Sequence, residues 1–269
     1  MLLRLSVSFV LLLSVACSES SAQAGDNDVL NAGVKTAAIT AASTETAPAG
    51  ATKGRITGMI KVEGKVEETE PVDPKTLAAD PHCAELHSGR NPVGVILGED
   101  GGLKDVFIQL TSGVPDLKYD LPEEPVVVNQ IGCTYDPHVW GIMKKQELKI
   151  LNSDATLHNI HSLPKSNKEF NLAMPNQGDE RTQKFKKAED AIKIKCDVHS
   201  WMATFAFVLE HPYFAVSDAS GAFALNTSGL ADGEYGVKIW HEVLGESEGS
   251  VTIKDGVGSF EHTYETGKE

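Results

Sequence analysis

Apolar and polar residues alternate along most of the chain, with the period of two that marks half-buried strands. Arg55-Ile56-Thr57-Gly58-Met59-Ile60-Lys61-Val62 reads this way, and so does Leu103-Lys104-Asp105-Val106-Phe107-Ile108-Gln109-Leu110. Further strands are expected at Val126-Val127-Val128, Gln146 to Leu151, Lys184 to Lys187, Ala191 to Lys195, Gly233 to His241 and Gly249 to Ile253. Thr204-Phe205-Ala206-Phe207-Val208-Leu209 is more continuously apolar and reads as a more buried strand. Tyr213 to Leu225 is two alternating runs around Asp218-Ala219-Ser220-Gly221, the pattern of a hairpin. No amphipathic helix pattern exceeds about three turns. The expected class is all-β.

The breaks in the pattern are informative too. Residues 63 to 92 carry Pro71, Pro74, Pro81 and Pro92, and residues 162 to 183 carry Pro164, Pro175 and Gly178; both read as long loops. Residues 25–53 are mostly Ala, Ser, Thr and Gly with scattered acids, which cannot build a core and read as a disordered tether. Order is expected from Gly54 onward.

One loop concentrates chemistry. Cys196-Asp197-Val198-His199-Ser200-Trp201-Met202 holds a thiol, an imidazole and a thioether between two expected strands. That set, with one more imidazole, suits a mononuclear copper site for electron transfer. Upstream, Asn152-Ser153-Asp154 forms a turn before Leu157-His158-Asn159-Ile160. This arrangement resembles the type 1 blue copper proteins, the cupredoxins, and its Cys-x2-His-x2-Met spacing is similar to the short loop of amicyanin-like members. The resemblance implies a Greek-key β-sandwich holding one type 1 copper ion. It carries over His158, Cys196 and His199 as strong ligands and Met202 as the weak axial one. It also implies that His199 is the electron port, and that Asn159 bonds across to the ligand loop. An exposed strand Asn is the alternative for Asn159. His161 lies three residues from His158, on the opposite face of a regular strand, so it is expected at the surface. Trp201 either shields the ion or packs across the loop.

The C-terminal part resembles a carboxypeptidase regulatory-like (transthyretin-like) β-sandwich, through Asp218, Gly221 and Phe223 and then Gly233 and Tyr235. Gly54 to Val62 and Gly102 to Leu110 are similar to the opening strands of the same module. The resemblance implies a copper domain at 125–210, inserted in or packed against an outer sandwich built from 54–124 and 211–265. A row of separate β domains is the other arrangement open.

Charge and cysteine usage narrow the setting. The 269-residue chain carries 38 acids against 24 Lys and Arg, a formal charge of −14. That argues against nucleic acid as a partner, since phosphate binding needs a basic face. Residues 1–24 have Arg4 before an apolar run, Leu5 to Val15, too short to span a bilayer; this is the layout of a secretory signal. Ser14-Val15-Ala16-Cys17 resembles a bacterial lipobox, which would lipidate Cys17; Ala22-Gln23-Ala24 is an ordinary cleavage site. Either implies an exported protein, periplasmic or anchored to a bacterial membrane. In that oxidising space Cys83 and Cys133 suit a disulfide. Alternatively, Cys83 and Cys133 with His82, His87 and His138 form a second metal site.

Catalytic motifs are missing: the sequence has no Gly-x-Ser-x-Gly, no His-Glu-x-x-His and no phosphate loop. The expected function is a non-enzymatic one-electron carrier serving a redox partner such as a c-type cytochrome or a membrane oxidoreductase. The alternative is a copper-, carbohydrate- or protein-binding module whose metal is structural or non-redox.

Overall fold

The computed structural model describes residues 54–267, apart from 68, 88 and 90. The expected leader, the tether and Cys17 lie outside the described residues. The described chain is all-β: sixteen strands in four sheets, with two short helices.

In order, the elements are β1 (Arg55–Glu63), α1 (Pro74–Leu77), α2 (Pro81–Leu86), β2 (Phe107–Ser112), β3 (Val126–Ile131), β4 (Thr134–Asp136), β5 (Val139–Met143) and β6 (Leu148–Asn152). There follow β7 (His158–Leu163), β8 (Phe170–Met174), β9 (Glu180–Gln183), β10 (Glu189–Lys195) and β11 (Ala203–Leu209). Last come β12 (Phe214–Val216), β13 (Ala222–Asn226), β14 (Gly233–His241), β15 (Gly245–Ile253) and β16 (Val257–Glu265).

Two sheets come wholly from the middle of the chain. One has the order β4-β3-β6-β9 and the other β5-β11-β10-β7-β8. Their inner faces enclose a core that includes Val128, Ile150, Ile160, Ile194, Ala206 and Val208. The remaining two sheets, β13-β1-β16 and β12-β2-β14-β15, are each assembled from strands on both sides of that middle segment. They close over a separate core that includes Ile56, Ile60, Ile108, Leu110, Val237, Ile239 and Ile253.

A third cluster joins the two pairs of sheets. Phe205, Phe207 and Leu209 of β11 meet Phe107 of β2, with Phe214 and Trp240 packed around them. The Phe107 and Phe207 rings stack with centroids 3.9 Å apart. All seven residues of β11 are buried, because its alternate faces serve different cores. At Gly141 the Phe214 ring comes so close that any Cβ would overlap it.

Several local expectations need correction. The run 213–225 is not a hairpin: β12 pairs with β2 and β13 with β1, so the turn at Asp218 carries the chain from one sheet to another. Asp218 Oδ1 accepts from the N–H groups of Ser220 and Ala222 and fixes that turn. Residues 162–183 are not one loop, since β8 pairs with β7 and β9 with β6. Residues 184–187, expected as a strand, have no regular structure. The loop-rich stretch 63–92 contains α1 and α2; each opens with Asp at the N-cap and Pro at the first helical turn, Asp73-Pro74 and Asp80-Pro81. Among the described residues no helix is long and apolar enough to cross a membrane.

Candidate metal centre

The centre is built at one end of the inner pair of sheets. β10 ends at Lys195 and β11 begins at Ala203, and the backbone of the intervening loop is closed at its neck by Cys196 N–H donating to Met202 O at 3.1 Å. Inside the neck, Met202 N–H donates to His199 O at 3.0 Å, and His199 N–H points at the Cys196 sulfur at 3.4 Å. The short loop is therefore pinned by its own backbone as well as by the flanking strands.

His158 opens β7, beside β10 in the same sheet, so its side chain meets that loop. The structure brings together His158, Cys196 and His199: one ligand atom from each lies within 4.8 Å of the others, and all three residues are buried. The two histidines face each other through Nδ1, 2.9 Å apart, and His199 Nδ1 is 3.9 Å from the Cys196 sulfur. Met202 is fully buried and packs in the same core cluster as Cys196 and Trp201.

With both Nδ1 atoms turned inward, each Nε2 meets a carboxylate. His158 Nε2 is 2.9 Å from Asp154 Oδ2. Asp154 is itself held by the N–H groups of Gly132 and Cys133, each at 2.8 Å, from the turn between β3 and β4. That turn runs through left-handed backbone at both residues, φ 63° at Gly132 and 56° at Cys133, which aims successive N–H groups at one carboxylate. His199 Nε2 is 3.2 Å from Asp80 Oδ2. Asp80 also caps α2, accepting from His82 N–H and Cys83 N–H through Oδ1, and it accepts from the Thr156 hydroxyl at 2.6 Å.

Cys83 and Cys133, 50 positions apart in sequence, form a disulfide. It ties α2 to the β3–β4 turn. The segment carrying α1 and α2 thus lies over His199, which is only 3% exposed. The expected electron port does not reach solvent: the Cys83 sulfur stands 3.7 Å from its Nε2. Disulfide formation also takes both sulfurs out of the proposed second metal site. His82 and His87 sit at α2, whereas His138 reaches across to Glu242 at 2.9 Å, in the seam between the two pairs of sheets.

The neighbouring residues hold the loop. Asn159 Oδ1 accepts from Asp197 N–H at 2.6 Å and lies 3.2 Å from the Cys196 sulfur. Trp201 donates its indole N–H to Cys133 O at 2.9 Å, and its ring packs against His199 and His87. His161 is half-buried rather than free at the surface, with Nδ1 on Asp197 and Nε2 on Glu169, each at 2.9 Å.

Electrostatics favour a thiolate. Burial pushes the Cys196 thiol up, but hydrogen bonds from His158 and His199 outweigh it and bring the value down to about 6. Burial pulls His158 down, and its bonds to Asp154 and Cys196 raise it above the ordinary imidazole value. Asp80 is held at about 2: its burial acts upward, and its bonds to Thr156, the α2 N-terminus and His199 act downward more strongly. A thiolate and two inward-facing imidazole nitrogens in a buried, hydrogen-bonded frame fit a soft-to-borderline metal such as copper. Asp80 and Asp154 were not singled out from the sequence, although the Asp80-Pro81 cap signal was there to be read.

No family model and no curated protein matches the chain. Among solved structures, a copper-containing nitrite reductase from Thermus scotoductus is similar over 36% of this chain, at 19% identity and a TM-score of 0.29; the chain spans a quarter of that protein's length. A purple cupredoxin from Nitrosopumilus maritimus is similar over 31% of this chain and 99% of its own, at 22% identity and a TM-score of 0.28. An amicyanin variant in its reduced Cu(I) form is similar over 38% of this chain and 98% of its own, at 18% identity and a TM-score of 0.29.

Proposed function

We propose that this chain is an exported, non-enzymatic copper protein that passes single electrons, with a c-type cytochrome or a membrane oxidoreductase as the class of partner. The observation that carries the reading is the convergence of Cys196, His158 and His199 in a buried frame. Copper bound there would supply a one-electron couple. The Cys196 thiolate and the Nδ1 atoms of His158 and His199 would hold it, with the Met202 thioether at the end of the loop as a weaker further donor.

The protein's own part is rigidity. Asp154 and Asp80 orient the two imidazoles through Nε2, and each is fixed by backbone N–H groups. Asn159 ties the ligand loop to β7. A frame held from both sides changes little when the charge on the ion changes by one, which keeps the reorganisation cost of electron transfer low. The disulfide supports export to an oxidising compartment; lipidation at Cys17 remains part of the proposal.

The cover over His199 favours a second reading, in which the site holds copper without passing electrons. Visible and electron paramagnetic resonance spectra of the Cu(II)-loaded protein test the first. An intense thiolate-to-copper band that Cys196→Ser abolishes is expected; a wild-type protein that takes up Cu(II) with no such band would sink the assignment. Electron exchange with small redox reagents then separates the two readings, since a storage site would stay inert.

A further inference from the structure

With His199 covered, an electron needs another way out, and the opposite side of the ligand loop offers one. The Cys196 sulfur touches Asn159 Oδ1 at 3.2 Å. Asn159 Nδ2 donates to Asn171 Oδ1 at 2.7 Å. Asn171 Nδ2 donates in turn to Asp197 Oδ2 at 2.8 Å, and Asp197 is bonded through the backbone to Cys196. Asn171 is exposed on the edge strand β8, so two short contacts span from the thiolate to the surface.

Asn171 does not open onto featureless solvent. It lines a cleft of about 750 Å³ between β8 and the chain leaving β9, the edge strands of the two inner sheets. Phe170 and Leu172 supply apolar surface, and Lys168, Lys184, Lys186 and Lys187 supply charge. The one acid in the lining, Glu169, is engaged by His161. Among the described residues no carboxylate pairs with Lys168, Lys186 or Lys187. In a chain of formal charge −14, such a basic cleft is a local reversal of sign. Potential of that kind steers and selects an oppositely charged partner.

We propose that this cleft docks an acidic face of a redox partner protein, and that the electron crosses between Cys196 and the cleft through Asn159 and Asn171. The proposal deepens the electron-carrier reading and rests on it for the redox step. In that step one electron passes from Cu(I) to the oxidant, and no bond or proton moves.

The test uses two oxidants of opposite charge on the reduced, copper-loaded protein: ferricyanide, an anion, and tris(phenanthroline)cobalt(III), a cation. Each gains the one electron the protein loses. The charge-reversal variant carries Lys168→Glu, Lys186→Glu and Lys187→Glu, all at exposed positions away from the ligands. At low salt it should slow oxidation by ferricyanide roughly tenfold, with the difference shrinking as salt is added, and should not slow the cobalt complex. Asn171→Ala should slow both oxidants while leaving the blue band in place. Equal rates for wild type and the charge-reversed variant with ferricyanide would overturn the docking surface, and an unchanged rate in Asn171→Ala would overturn the route. A separate readout needs no metal. A hexaglutamate peptide titrated into the full-length apoprotein should shift backbone amide resonances at 166–172 and 183–187. No shift there counts against the cleft, whatever the copper spectra show. A missing blue band alongside peptide shifts would sink the carrier reading and the route, while supporting the acidic docking surface.

Discussion

At the scale of single residues, carboxylates frame the cluster of His158, Cys196 and His199. Asp154 holds His158 and is held by two N–H groups; Asp80 holds His199 and caps a helix. Removing the charge but keeping the shape isolates this effect. Asp154→Asn should weaken copper binding by roughly 10- to 100-fold, the usual cost of losing such an orienting partner. It should also raise the reduction potential, because the carboxylate favours the more positive state of the ion. Competition with a Cu(I) chelator and protein-film voltammetry measure the two effects. An unchanged affinity and potential would mean that Asp154 serves only the fold. The loop from Cys196 to Met202 stood out because thiol, imidazole and thioether sit within seven residues. The carboxylates did not, because acids are common in this chain and only the fold decides which of them face inward. Position 158 shows the limit of strand alternation. His161 was assigned to the opposite face, and it lies outside the cluster of His158, Cys196 and His199; two acids reach it there and draw it into the surface network.

Among the elements, the segment with α1 and α2 is the largest departure from expectation. Four prolines made residues 63 to 92 look irregular, yet an Asp before each of two of them set a short helix. Neither helix is long enough to stand alone. They are held by Asp80, by Leu77 in the inner core and by the disulfide. Closing a loop of 50 residues contributes about 4 kcal/mol on the chain-entropy account. Replacing both cysteines, Cys83→Ser with Cys133→Ser, should lower the unfolding free energy by up to about that amount in urea titration. It should also speed hydrogen exchange in α2 and at His199. If exchange there keeps its wild-type rate, the other contacts suffice to hold the cover. The strands read well where one face is buried and the other wet. They failed at 213–225, because a tight turn between two alternating runs does not say which sheets the runs join.

At the scale of the whole molecule, two pairs of sheets meet across a seam that carries a buried ion pair as well as stacked rings. His138 Nδ1 faces Ala203 O at 3.1 Å and Nε2 faces Glu242 Oε1 at 2.9 Å, so both ring nitrogens have acceptors and the imidazolium suits the site. Burial acts to lower its pKa, and Glu242, with Asp105 further off, raises it overall above the ordinary 6.5. The folded value is thus higher than the unfolded one. The stabilisation is complete below about pH 6.5 and fades as pH rises through the folded value. Thermal melts from pH 5 to 9 should show a decline above neutrality that is flatter in Glu242→Gln. Parallel profiles for the two proteins would remove His138 from the account. From the sequence, His138 was only a candidate ligand of a second metal site; nothing local hints that positions 104 apart meet. The joint itself was legible only as an apolar strand, since the sequence cannot say that β11 has no wet face.

The double duty of β11 bears on anyone who would trim this protein into a smaller reagent. Cutting out residues 125–210 would leave Phe205, Phe207 and Leu209 as a greasy strip along the outside of the fragment. The excised piece would clump through that strip unless those three positions were first repainted with hydrophilic side chains. It would also arrive without Asp80 and Cys83, and so without the roof over its own histidine.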